Sequence, residues 1–269
     1  MLKIRPTLKL GIAVALAGLV ALAIALWPRS EAKIPAADRA QLALMSSLPI
    51  YWPEGQDIAS MVDGSGETPW VRKVIEQQYI IRPVDTLGAP SDEIPAPLAG
   101  VERLLLAQPR GLSPADNVAL DDWVRAGGRL LYMLDPMLTG HYSVPVGDPS
   151  HPTLIGLVPP VILRWGLAMQ YLEAQPFEMR QASYGDGALP VQLAGQLVAL
   201  EDTEGFTQDQ LDARGTCEVL GEGVVATCEV GQGRVVIVGD AAILEQHHSD
   251  EGSEQQLMAL LDFAFEQNR

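Results

Sequence analysis

The chain has 269 residues, with 18 Lys and Arg against 34 Asp and Glu, a formal net charge of −16 and 48% hydrophobic residues. Four of the basic residues (Lys3, Arg5, Lys9, Arg29) and none of the acidic ones lie in residues 1–29, which leaves 14 basic against 34 acidic groups, a net of −20, on the remaining 240. A domain so acidic repels nucleic acid and anionic lipid surfaces, and about 200 residues suffice for one full hydrophobic core.

Leu10 to Trp27 is a run of 18 uncharged residues. As a helix it would be about 27 Å long, close to the thickness of a bilayer's hydrocarbon core. With Lys3, Arg5 and Lys9 before it, the positive-inside bias puts residues 1–9 in the cytoplasm and the rest of the chain across the membrane. The alternative is a cleaved signal peptide, with Ser30-Glu31-Ala32 as a small-x-small site. The length of the run, and Trp27-Pro28 at its far end, favour a retained anchor, since signal-peptide cores run to about 7–15 residues. Gly11, Ala15 and Gly18 would let a neighbouring helix pack closely. The expected organisation is a cytoplasmic N-terminus (1–9), a transmembrane helix (10–27), a stalk (28–45) and a periplasmic α/β domain (46–269).

Within the stalk, Pro35 to Met45 reads as helix. Leu48 to Trp52 reads as a first strand, closed by the turn Pro53-Glu54-Gly55. Trp70 to Gln78 has apolar residues at spacings of 3 and 4 and reads as helix, and Tyr79 to Val84 as a strand. Gly88 to Pro97 is a proline-rich loop. Val101 to Ala107 reads as a strand. Ser113-Pro114-Ala115-Asp116 carries the cap, N1 proline and first-turn acid of a helix start, and Gly127-Gly128 the stop. Arg129 to Leu134 is an apolar strand, so this strand–helix–strand unit predicts two parallel, buried strands. Residues 137–160 form a Gly- and Pro-rich loop of the length associated with lids and binding loops. Val161 to Trp165 reads as a short helix; Leu167 to Leu172, Leu197 to Leu200 and Glu218 to Glu229 as strands; Arg234 to Gly239 as a second fully apolar strand; and Ser253 to Gln267 as an amphipathic helix.

The two cysteines, Cys217 and Cys228, flank a hairpin with Glu222-Gly223 as its turn. That register sets them opposite each other, compatible with a cross-strand disulfide in an oxidising compartment.

The segment LLLAQPRGLSPADNVALDDWVRAGGRLLYMLDP resembles the strand, Leu-Ser helix start, Gly-Gly-Arg and Asp-Pro succession of extracytoplasmic domains with a class I glutamine amidotransferase-like fold, and GQGRVVIVGDAAIL is similar to the strand that closes them. Such domains occur in gliding-motility-type auxiliary proteins of ABC transport systems. The resemblance implies a degenerate amidotransferase-like or flavodoxin-like domain: a mainly parallel sheet flanked by helices, with an antiparallel hairpin. It also implies a non-catalytic role, because the turn where the family holds its nucleophilic Cys is Asp135-Pro136-Met137 here, and the place of its His and Glu is Asp240-Ala241-Ala242. The partner it implies is a membrane protein such as a transporter subunit. The sequence calls for no cofactor and no nucleic acid.

Candidate ligand-binding residues are Asp135 and Asp240 at the ends of apolar strands, where open parallel sheets bind ligands, together with His141 and His151 on the long loop. Asp is equally at home capping turns. Trp52 joins them as an aromatic at the same edge, able to line a pocket for a sugar or peptide, or simply to pack at the rim. His247-His248 is a compositional metal signal at most. The rival to a scaffold is a periplasmic, metal-assisted hydrolase built on Asp135, Asp240 and a histidine. An enzyme needs these groups to converge in a concave site, whereas a binding module needs an exposed apolar or aromatic patch.

Overall fold

Leu42, Ala43, Leu44 and Met45 are all buried. Successive side chains of a strand point to opposite faces, so an unbroken buried run marks a strand covered on both sides. Ala40–Ser46 is accordingly β1, a central strand of the sheet. This corrects the expected stalk helix over Pro35 to Met45. Ala, Gln, Leu and Met favour helix by only tenths of a kcal/mol each, whereas burying one Leu side chain is worth about 1.5–3 kcal/mol. The correction moves the next segment too. Leu48 to Trp52 is not a strand but a tight turn beyond β1, with Ser46 Oγ accepting from the Leu48 N–H at 2.9 Å and Pro49 unable to donate to a ladder.

The computed structural model describes residues 35, 39–54, 67–89, 95–200, 207, 211, 213–245 and 251–266. The expected transmembrane helix, most of the stalk and the His247-His248 pair lie outside them. Among the described residues no helix is long and apolar enough to cross a membrane.

The remaining elements follow the sequence pattern closely. Helix α1 is Trp70–Gln78, β2 Tyr79–Pro83, β3 Arg103–Ala107, α2 Pro114–Arg125 and β4 Arg129–Met133. Then come α3 Pro160–Trp165, β5 Leu167–Tyr171, β6 Arg180–Tyr184, β7 Gly187–Val191, β8 Gly195–Ala199, β9 Thr216–Leu220, β10 Val225–Val230, β11 Gly233–Val238, α4 Ala242–Glu245 and α5 Glu251–Phe265. A seven-stranded sheet runs β2-β1-β3-β4-β11-β10-β9. Its first five strands are parallel; β10 runs antiparallel to β11, and β9 antiparallel to β10. Between β4 and β11 the chain also forms two small two-stranded sheets, β5–β8 and β6–β7. The hairpin β6–β7, around Gly185-Asp186, is an element the sequence reading left out.

Both faces of the sheet are covered. On one, Leu42, Leu44, Leu105, Leu131 and Val236 pack with α1, α5 and the β6–β7 hairpin. On the other, Ala43, Leu104, Leu106, Tyr132 and Ile237 pack with α2, α3 and the β5–β8 pair, where Trp165 is fully buried.

Helix α2 is fixed at both ends. Ser113 Oγ accepts from the Asp116 N–H, and Asp116 Oδ2 accepts from the Ser113 N–H, a reciprocal cap. Asp116 Oδ1 also accepts from Leu87 N–H (2.7 Å), Gly88 N–H (3.0 Å) and Thr86 Oγ1 (2.7 Å), stapling the loop after β2 to the helix. Burial alone would raise this carboxyl; the hydrogen bonds from Ser113, Gly88, Thr86 and Leu87 outweigh it and hold Asp116 well below the usual carboxylate range. Helix α3 ends at Gly166, whose φ of 98° is the left-handed stop that glycine adopts without strain.

Helix α1, between β1 and β2, lies on one face of the sheet, and α2, between β3 and β4, on the other. The strand order therefore reverses between the neighbours β1 and β3, and their C-terminal loops part to opposite sides. In open α/β sheets that parting creates the ligand crevice.

Candidate functional site: the carboxyl edge of the sheet

At that parting lies a cleft of about 430 Å³, formed by the segment after β1 (Ser46 to Glu54), the end of β2 (Pro83 to Asp85), Arg110 after β3, and Val144, Ser150 and Pro152 of the long loop. Its aromatic wall is Tyr51 and Trp52, edge to face with 4.8 Å between ring centroids. The Arg72 guanidinium lies over the Tyr51 ring at 4.1 Å, donates to the Tyr51 carbonyl at 3.1 Å and pairs with Glu76 at 2.7 Å. Helix α1 thus clamps the aromatic corner from behind, and Trp52 remains 50% exposed at the cleft.

The floor is held by residues that the sequence reading did not single out. Gln108, fully buried directly after β3, has a φ of 46°, uncommon for a residue with a side chain. Its amide accepts from the Asp135 N–H at 2.8 Å and donates to the Asp135 carbonyl at 3.0 Å and the Thr153 carbonyl at 2.8 Å. Ser47 Oγ donates to the Gln108 carbonyl at 2.5 Å and accepts from the Thr153 N–H at 3.0 Å. Arg110 donates to the carbonyls of Pro149 and His151. Ser47 was hidden by the misplaced first strand. For Gln108, Arg110 and Asp85 the usable signal was position, immediately beyond an apolar strand, the same signal that picked out Asp135 and Asp240.

Asp135 and Asp240 follow the adjacent strands β4 and β11, and both are buried. Asp135 accepts from Met137 N–H (2.7 Å) and Ala241 N–H (3.0 Å), one per oxygen; Asp240 accepts from Ala242 N–H (2.6 Å) and Gln192 N–H (2.8 Å), again one per oxygen. They cap turns and join the loop ends after β4, β7 and β11. Burial pushes the Asp135 carboxyl up to about 7 despite those N–H donors, with Glu245 adding to it. Burial raises Asp240 as well, and the neighbouring Asp135 reinforces the shift. The close approach of strand ends here needs Gly239: a Cβ there would lie 2.4 Å from the Gly195 carbonyl oxygen.

The histidines do not join the aspartates. His141 is exposed. His151 is buried, with Nδ1 2.8 Å from the Pro152 carbonyl and its ring edge to face with Tyr142. Among the described residues no group of three or more His, Cys, Asp or Glu is arranged to hold a metal.

The long loop is anchored rather than loose. Glu245 accepts from Gly140 N–H (2.7 Å), Tyr142 Oη (2.6 Å) and Thr139 N–H (3.1 Å), and Glu54 accepts from Ser143 N–H at 2.6 Å. Leu138 is buried in the core, but several of the loop's other apolar side chains stay outside. Ile155 is 59% exposed and Leu157 74%, and Met137 meets the Tyr171 hydroxyl at 3.9 Å. Beside them Gln192 bridges Thr139 Oγ1 (3.0 Å) and the carbonyl of Phe177 (2.6 Å), whose ring is 68% exposed. Met137, Ile155 and Leu157 on the loop after β4, and Tyr171, Leu172 and Phe177 at and after the end of β5, are thus exposed apolar side chains, with Met137 and Tyr171 in contact.

Cys217 and Cys228 face each other across β9 and β10 and are joined by a disulfide.

No family model and no curated protein matches the chain. Among solved structures it is similar to an exo-β-1,4-mannosidase from an Opitutaceae bacterium strain TAV5 (15% identity, TM-score 0.46, covering 84% of this chain and 36% of that one). It is also similar to a cytoplasmic protein from Salmonella typhimurium (11%, 0.44, 82% and 97%) and to a putative ThuA-like protein from Bacteroides uniformis (11%, 0.42, 89% and 94%). The chain spans about a third of the length of the glycosidases it matches. At these identities and TM-scores the likenesses say nothing of what this chain binds or does.

Proposed function

We propose that the protein is a non-catalytic binding or scaffolding component of an inner-membrane assembly of ABC-transport type. In this reading a single N-terminal anchor tethers a periplasmic domain of degenerate class I amidotransferase-like, flavodoxin-like fold. The tether keeps the domain near its partner at high effective concentration. The fold assignment draws support from the strand order, which in chain sequence is 2-1-3-4-5 across the five parallel strands. The compartment draws support from the Cys217–Cys228 disulfide.

The observation that carries the reading is the set of exposed apolar side chains on the segments that follow β4 and β5: Met137, Ile155, Leu157, Tyr171, Leu172 and Phe177. Surfaces of that kind on a soluble domain mark sites of protein interaction. The test is a mild-detergent pull-down of the tagged full chain, with mass spectrometry of what accompanies it, run beside Ile155→Asp and Phe177→Asp. Transporter subunits, or another membrane complex, should accompany the wild type and be lost from the variants. A wild-type chain recovered alone would overturn the reading.

The hydrolase reading has one observation in its favour, the raised Asp135–Asp240 pair, since perturbed acids cluster at active sites. Against it, all four carboxylate oxygens are engaged by backbone N–H groups, and neither histidine faces the pair.

A further inference from the structure

We infer that the cleft between the β1 and β3 ends is a binding site for a neutral carbohydrate, with Trp52 as its stacking platform. The inference rests on the reading of the carboxyl edge as a recognition surface and narrows what that surface takes.

The cleft sits where the sheet's topology opens a crevice, and it presents three kinds of group. Trp52 offers a half-exposed ring. Asp85 offers an exposed carboxylate, and half-buried Glu54 offers one of which Oε1 already accepts from the Ser143 and Val144 N–H groups. Arg110 offers a guanidinium of which Nη2 is already committed to two backbone carbonyls. A phosphate or other anion would need converging N–H groups or several cations, and would meet two carboxylates instead. A simple cation would meet Arg110. A wholly apolar ligand would strip water from charges without pairing them. A sugar satisfies the set. Its hydroxyls donate to carboxylates and accept from a guanidinium, and its C–H face covers an indole ring. The site is also preorganised. Arg72 fixes the Tyr51–Trp52 corner, and the cleft wall includes Pro49, Pro53 and Pro83, so little ordering is left for binding to bring about.

The experiment is isothermal titration of the detergent-solubilised full chain with cellotetraose, chitotetraose, maltotetraose and, as a zwitterionic control, tetra-alanine. At least one tetrasaccharide should bind with a dissociation constant in the millimolar range or tighter. Trp52→Ala and Asp85→Asn should each weaken that binding roughly tenfold, about the value of one stacking or hydrogen-bond contact. Trp52→Phe, which keeps a ring, should retain most of it, and the exposed position of Trp52 leaves folding intact. Binding by none of the three sugars, binding that Trp52→Ala leaves unchanged, or binding of tetra-alanine alone would each overturn the inference. The scaffold reading fails separately. A Trp52→Ala chain that loses the sugar but still captures its membrane partner sinks nothing in that reading, whereas a wild type that binds sugar and captures no partner sinks it alone.

Discussion

Asp116 and Asp135 are two buried carboxylates driven in opposite directions by their neighbours, and the difference is measurable. Asp116 collects donors from two loops and from its own cap. Asp116→Ala should therefore cost about 2–4 kcal/mol of unfolding free energy, a lost cap plus buried N–H groups left unpaired. Its folded pKa lies below its unfolded one, so this stability is present above the ordinary carboxylate range and drains away as the pH falls through the lower folded value. Asp135 is the reverse. Its carboxyl titrates at about 7 when folded and near 3.9 in an unfolded chain, so between those values the folded state holds more protons. Stability should fall as the pH rises from about 4 to about 7. Asp135→Asn should flatten that slope by up to ~1.4 kcal/mol per pH unit, read from urea midpoints at several pH values. If the variant keeps the wild-type slope, Asp135 is not the group responsible. Both aspartates were visible in the sequence because a cap motif and a strand end are local patterns. Gln108 was marked only by its place just after β3 and Glu245 by nothing nearby, and the partners of both lie 27 to 106 residues away.

Among the elements, those written in local chemistry were legible. Helix α2 starts at its Ser-Pro and stops at its Gly-Gly, and β3, β4 and β11 read as apolar runs because a strand buried on both faces has no polar alternation. The first strand failed for the complementary reason. AQLALMS is made of good helix formers, and only its place between β2 and β3 makes it extended. The β6–β7 hairpin had a turn signal in Gly185-Asp186 that went unused; Pro190 inside β7 is tolerated because that pair has no further neighbour to receive a hydrogen bond. The long loop read as a lid, and its length justified that. What sequence could not supply was Glu245, reaching back from α4 to hold Thr139, Gly140 and Tyr142. Glu245→Ala should free this stretch, raising its rate of proteolytic cleavage severalfold and costing about 1–3 kcal/mol. An unchanged cleavage rate would mean that Glu54, Ser47 and Gln108 suffice to hold the loop.

At the scale of the molecule there are two surfaces: the polar, aromatic cleft at the β1–β3 parting and the exposed apolar side chains on the segments after β4 and β5. Only parts were readable beforehand, Trp52 for the cleft and the loop 137–160 for the apolar side chains, because each surface gathers residues from segments far apart in sequence. The charge balance, by contrast, was plain from composition. If the patch is an interaction surface, Ile155→Asp and Phe177→Asp should leave unfolding free energy within ~0.5 kcal/mol of the wild type while removing the partner. Loss of folding instead would make these side chains structural.

The disulfide between Cys217 and Cys228 has a consequence for handling the chain as well as for its stability. It closes a loop with a sequence separation of 11, so its reduction should cost about 2–3 kcal/mol, seen as a lower melting temperature in a reducing buffer. Strand β9 is also the outermost strand of the sheet. An outer strand that peels away uncovers the hydrogen-bonding row of β10, a template onto which a second copy's strand can add. The bond rivets β9 in place and denies that exchange. Material made under reducing conditions should therefore be prone to strand-swapped association, rising with concentration and disappearing once the thiols are oxidised.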